Sequence, residues 1–150
     1  MAIARGAGTE IIRTWQGVDI DGSQNIILIF GEQHHIYTVL SITAYCRALQ
    51  TAGNLFSINL LGYDVKAGAT DIEMNIAKQA MVVGDTFVWN DKFSFMGHEP
   101  TDFTSFPLTV VKQNAIADQG SAVAQKLRCA GSEAGDQFDV TCTYIDQNNA

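Results

Sequence analysis

Ile36-Tyr37-Thr38-Val39-Leu40-Ser41-Ile42-Thr43-Ala44-Tyr45-Cys46 is the stretch on which the fold turns. Successive side chains of a β-strand leave on opposite sides, so a period of two separates a buried face from a solvated one. Here that period sets Ile36, Leu40, Ile42, Ala44 and Cys46 on one face, with Thr38 as the exception. Ser41 and Thr43 fall on the other. The run is rich in β-branched and aromatic residues, which fit a pleated, half-buried surface. It predicts a strand.

Working outward, the same alternation returns along the chain. Phe56, Ile58 and Leu60 alternate with Ser57 and Asn59, and Ile72, Met74 and Ile76 with Glu73 and Asn75. Val140, Cys142 and Tyr144 alternate with Thr141 and Thr143. Asn25 to Phe30 is a continuous apolar run after its first residue, which suits a strand covered on both faces. Thr86 to Trp89 and Lys92 to Phe95 flank Asn90-Asp91, the pattern of a hairpin with a two-residue turn. Turn signals stand between the runs at Asp21-Gly22-Ser23, Gly53-Asn54, Gly62, Gly68, Gly84-Asp85, Gly97 and Gly131 to Gly135.

About eight short strands at this spacing predict an all-β fold, a single β-sandwich or jelly roll, with no βαβ plan. The predicted core includes Ile29, Leu40, Ile42, Ile58, Leu60, Phe95 and Val140. Gln113 to Leu127, rich in Ala and Gln, stands apart as a short helix or a long loop. Residues 1–12, with Gly6 and Gly8, read as a flexible N-terminal arm, and 13–150 as one domain.

A chain of 150 residues is one ordinary domain, able to remove roughly 68–70% of its unfolded surface from water. No metal or disulfide staple is required at that size. Apolar residues make up 47% and charged residues 17%, a thin charge coverage that favours burial against partners. The net charge of −7, with nine scattered basic residues, argues against direct nucleic-acid binding, which needs clustered Lys and Arg. Cys46, Cys129 and Cys142 are too few for a disulfide framework and read as reduced, buried thiols. Without a signal-peptide pattern or an apolar stretch near about 20 residues, the expectation is a cytosolic product outside membranes.

The chemistry-bearing residues do not gather into a motif. His34 and His35 are adjacent, so on a strand they point to opposite faces, and surface or interface positions suit them better than a metal site. His98 with Glu99 and Asp102, and Cys46 with a histidine, are candidates that lack an orienting partner in sequence. Asp19-Ile20-Asp21-Gly22-Ser23 is a fragment of a calcium loop. Asp136, Asp139 and Asp146 flank the last strand and read as solvated loop ends. Trp15 and Trp89 read as core, although an exposed Trp would mark a subunit contact. No enzyme, cofactor or metal site is expected.

Four stretches carry a family resemblance: Met1 to Arg13, His34 to Ile42, Thr86 to Phe95, and Asp146 to Asn149. They resemble small virion proteins of tailed bacteriophages, especially those infecting cyanobacteria and marine bacteria. The resemblance runs along most of the chain and rests on strand-like stretches with no chemical motif. Within that class it implies a capsid cement (decoration) protein, placed on the outer capsid surface after assembly in the host cytoplasm. The implied partners are the major capsid protein and further copies of the chain. The interface would include Ile3, Ile11 and Ile12 from the arm, and Trp15 beside it. A tail or baseplate component is the alternative within the class, and a carbohydrate-binding jelly roll the alternative outside it.

Overall fold

The computed structural model describes residues 9–23, 26–62, 73–98, 110–111 and 124–149. Among them run nine strands: β1 (Thr9–Ile20), β2 (Ile26–Phe30), β3 (His35–Ala48), β4 (Leu55–Leu61), β5 (Glu73–Ala80), β6 (Thr86–Trp89), β7 (Phe93–Met96), β8 (Lys126–Ala130) and β9 (Gln137–Asn148). Every pairing is antiparallel, and the pairs nest. β1 pairs with β9, β2 with β8, β3 with β6 and β7, and β4 with β5. The chain thus behaves as one long hairpin that rolls on itself. Two further pairings, β3 with β9 and β4 with β8, zip the roll into two sheets ordered β1-β9-β3-β6 and β2-β8-β4-β5. This is jelly-roll connectivity in a two-sheet sandwich, as the alternation predicts.

Several strands depart from a plain period of two, and they do so where the register shifts at bulges. In β3 the register against β9 shifts between Val39 and Ser41. The extra residue is Leu40, so the buried phase changes from Tyr37 and Val39 before it to Ile42, Ala44 and Cys46 after it. Leu40, expected in the core, is only half-buried, and Thr38 ceases to be an exception. Leu60 is likewise half-buried, near the register shift where Ile76 of β5 is left unpaired opposite Ile58 and Asn59. Ile29, Ile42, Ile58, Phe95 and Val140 are buried as predicted. In β2 a bulge between Ile27 and Ile29 turns Leu28 and Ile29 inward together. The continuous apolar run is therefore an edge strand, with Ile27 and Phe30 exposed, and is not covered on both faces.

The expected hairpin around Asn90-Asp91 is absent. β6 pairs with residues 42–45 of β3 and β7 with residues 36–39, so the two lie end to end along the same edge. Asn90-Asp91-Lys92 is a break in one strand, opposite the Leu40 bulge. Counted that way, the roll has eight strands. Thr9–Ile12, expected in the arm, begin β1. Residues 1–8, and residues 113–123 of the expected helix or loop, lie outside the described residues, whereas Lys126 and Leu127 begin β8.

The two poles of the sandwich are built differently. At one, the turns after β1, β3, β5 and β8 tie to each other, with Gly22 N donating to Glu133 O (2.9 Å) and Met81 N to Asn54 O (3.0 Å). At the other, three segments cross at backbone distance, Gly31 N donating to Gln125 O (2.7 Å) and Gln125 N to Gly97 O (2.9 Å). A Cβ on Gly31 would stand 2.0 Å from the Gly97 carbonyl oxygen, so only glycine permits the crossing.

Candidate assembly surface

β1 is an edge strand twelve residues long, and its pairing with β9 fixes which side each residue faces. Ile11, Arg13 and Trp15 stand opposite the buried Asp146, Tyr144 and Cys142, so they turn inward. Ile12 turns outward and is 71% exposed, while Ile11 is 37% exposed at the sandwich margin. Trp15 is half-buried against the core. Its ring folds over Gly17, where a Cβ would stand 2.3 Å from it, so the glycine makes room for the indole. Ile3 lies outside the described residues. Of the three expected interface residues that are described, Ile12 is thus the one most open to a partner.

The outer face of the β1-β9-β3-β6 sheet carries hydroxyls in rows. Thr14, Thr143 and Ser41 align across three strands, and Gln16, Thr141, Thr43 and Val88 across four. No charged side chain interrupts these rows. From Thr14 to Val18, β1 itself carries no charge. Edge strands are commonly protected by charge, proline or bulges. Here a bulge between Gly17 and Ile20 and an ion pair between Arg47 and Asp19 guard one end, and Glu10 and Arg13 put charge at the other, which leaves Thr14 to Val18 as the uncharged middle. A shallow groove of about 360 Å³ opens near the bulged end, lined by Val18, Thr43, Tyr45, Thr86, Asp139 and Thr141 among others.

Two carboxylates read in sequence as solvated loop ends are instead fully buried. Asp136 accepts four hydrogen bonds, from Ser132 N and Glu133 N (2.9 Å each), Gln50 N (3.0 Å) and Asn54 Nδ2 (2.9 Å). Burial alone would raise its pKa, but these donors outweigh burial and hold it below the usual carboxylate value. Glu133 is also held low, chiefly by the hydrogen bond from Asn54. Asp146 lies 2.6 Å from His35 Nδ1 and 3.3 Å from Arg13 Nη1. His35 Nε2 in turn faces Glu32 at 3.4 Å. His35 is therefore a largely buried partner of Asp146 and not a surface histidine, and the trio joins β1, β3 and β9 at the Gly31–Gly97 pole. Asp139, at the groove, is part-exposed, with Arg47 Nη2 3.6 Å from its Oδ1.

Both clusters are structural in geometry. Among the described residues, the side-chain partners of His35 are Asp146 and Glu32, and no group of potential metal ligands gathers. Asp21, in the calcium-like fragment, accepts from Ser23 N and Ser23 Oγ in a local turn. Glu99 and Asp102, considered beside His98, lie outside the described residues. All three cysteines are free and buried, and burial pushes Cys129 and Cys142 up to about 12. Trp89 packs against Phe93 and the core and donates to Asp91 O, so the two tryptophans form no exposed aromatic platform.

No family model and no curated protein matches the chain. Solved structures similar in shape include an infectious bursal disease virus particle, at a TM-score of 0.48 and 11% identity over 98% of this chain. The VP2 subviral particle of that virus gives 0.45 and 12% over 97%. A disulfide-linked pilus from Bacillus endospore appendages gives 0.42 and 10% over 100%. The chain spans about a third of the viral chains (33% and 34%) and 97% of the pilus chain. Likenesses this distant carry no argument about what the chain does; they are similar shapes, of which the viral ones belong to capsids and the other to a pilus.

Proposed function

We propose that this chain is a structural protein of a virion, a capsid cement protein that binds the outside of the shell and braces the major capsid protein. The observation that carries the reading is the outer face of the β1-β9-β3-β6 sheet, uncharged along its hydroxyl rows and continuous with the edge of β1. Burying such a face desolvates no charge along its rows, and rotating hydroxyls find partners on many surfaces. The sequence resemblance to tailed-phage virion proteins supplies the particle. A protein that binds the assembled shell and not the free subunit shifts assembly by mass action.

The test adds purified full-length protein to phage capsids that lack it, followed by occupancy from electron-microscopic maps and by heat resistance. Saturable binding at symmetric sites on the shell, with a raised disruption temperature, is the expected result. A Thr143→Glu variant, which places charge in the hydroxyl rows, should fold but bind weakly. Binding to isolated tails instead of capsids would replace the cement reading with a tail or baseplate one. Binding to neither would remove the virion reading.

A further inference from the structure

We infer that two copies of this chain pair edge to edge, β1 against β1 in antiparallel sense with Trp15 at the two-fold axis, so that their β1-β9-β3-β6 sheets become one. Among the described residues β9 is the single neighbour of β1. A strand sends its N–H and C=O groups alternately to its two sides, so half of those on β1 face away from β9, a template for another strand. From Thr14 to Gly17 neither charge, proline nor bulge blocks that approach.

The side chains of β1 select the register. Its most exposed large apolar residues are Ile12, 71% exposed, and Val18, 68% exposed. An antiparallel pair keeps each face continuous only when outward residues meet outward residues, so the axis passes through a residue and not between two. With the axis at Trp15, Thr14 stands opposite Gln16 of the second copy, Arg13 opposite Gly17, and Ile12 opposite Val18. Each exposed apolar side chain then covers another. An axis at Thr14 would set Ile12 against Gln16 and Val18 against Glu10, and an axis at Gln16 would set Ile12 against the buried Ile20 and Val18 against Thr14. The charges stay clear of the ladder: Arg13 turns inward to Asp146, while Glu10 and Asp19 lie beyond Ile12 and Val18. The rows of the outer face also run on across the axis. Thr14, Thr143 and Ser41 of one copy lead into Gln16, Thr141, Thr43 and Val88 of the other.

The other edges of the molecule make poorer occupants. β5 carries Glu73 and Lys78, the β6–β7 edge is broken at residues 90–92, and β2 is five residues long with a bulge between Ile27 and Ile29. β1 alone among the described edges combines length with an uncharged middle. In a chain of net charge −7, a contact between copies forms most readily where neither brings a charge. Pairing of like edges is isologous, so it closes on itself and gives a dimer and not a filament.

The inference does not depend on the capsid reading, and its test uses the purified full-length chain alone. Sedimentation over a range of concentrations should show a monomer–dimer equilibrium and no larger species. Ile12→Lys and Val18→Lys, both at exposed positions, should leave the melting temperature of the dilute chain unchanged. Each should weaken dimerisation roughly tenfold, because a charge on an edge strand opposes pairing and enters this contact twice. An Ile12→Lys/Val18→Glu chain, whose new charges meet across the axis, should dimerise more tightly than Ile12→Lys or Val18→Glu alone. The native thiols are buried, so introduced cysteines report the register. A mixture of Thr14→Cys and Gln16→Cys chains should cross-link under mild oxidation, whereas neither should do so by itself. A chain monomeric at all concentrations, dimerisation unchanged by both lysines, or no advantage for the doubly charged variant would each overturn the inference. Cross-linking of Thr14→Cys or Gln16→Cys chains to themselves would overturn it too, since it moves the axis off Trp15.

Discussion

Asp136 shows how a single buried carboxylate holds a pole of the sandwich. Its two oxygens collect donors from the β3–β4 and β8–β9 turns. Asp136→Asn replaces one acceptor by an NH2 that faces other donors, so chemical denaturation should show a loss on the order of 2–3 kcal/mol. The acid limb follows from the same group. The folded pKa values of Asp136 and Glu133 lie below their unfolded values, so their stabilisation is present above about pH 4 and lost as pH falls through the folded values. Melting temperatures should hold from pH 7 to pH 5 and fall below about pH 4, with a shallower fall in Asp136→Asn. The thiols give a second residue-scale outcome. With Cys129 and Cys142 pushed up to about 12 and all three cysteines buried, an alkylating reagent at pH 8 should modify none in the folded protein and three in denaturant.

At the scale of elements, bulges decide which residues count. Leu40 and Ile42 are alike in sequence, two residues apart in the same apolar stretch, but Ile42 is fully buried and Leu40 sits on the bulge. Ile42→Ala should cost about 2–5 kcal/mol and Leu40→Ala clearly less, read as a difference in denaturation midpoints. Equal losses would mean that the bulge does not displace Leu40 from the core. The even positions of β9 show the opposite case, an unbroken period. Phe138, Val140, Cys142, Tyr144 and Asp146 are all buried, as is Asp136 just before the strand. The sequence reading followed that parity through Val140, Cys142 and Tyr144 but stopped short of Asp136 and Asp146, which share it. Their polarity suggested loop ends because nothing local announces the distant partners, Arg13, His35 and Asn54, that make burial tolerable.

For the whole molecule, the roll predicts an order of local opening. β9 is flanked by β1 and by β3, with which it aligns over twelve positions, while β1, β2 and β5 are edges. Native-state hydrogen exchange should find the slowest amides in β9 and β3 and faster ones along β1 and β5. Slow exchange along β1 in the purified chain that becomes fast on dilution would locate an association surface there, which connects this measurement to the proposed assembly.

The sequence by itself determined the strand content, most turn positions, the buried thiols and the membership of Ile29, Ile42, Ile58, Phe95 and Val140 in the core. These follow from period-two alternation and turn chemistry, which act between neighbours a few residues apart. Only the tertiary structure decided that Thr86–Trp89 and Phe93–Met96 lie end to end along β3, that Ile26–Phe30 is an edge, and that Asp146 meets Arg13 and His35. Those outcomes depend on which strands pair across the roll, up to 133 residues apart for Arg13 and Asp146. A local pattern states that a strand has a buried side. Which strand completes its hydrogen bonds, and where a bulge shifts its phase, is settled by the partner across the sheet.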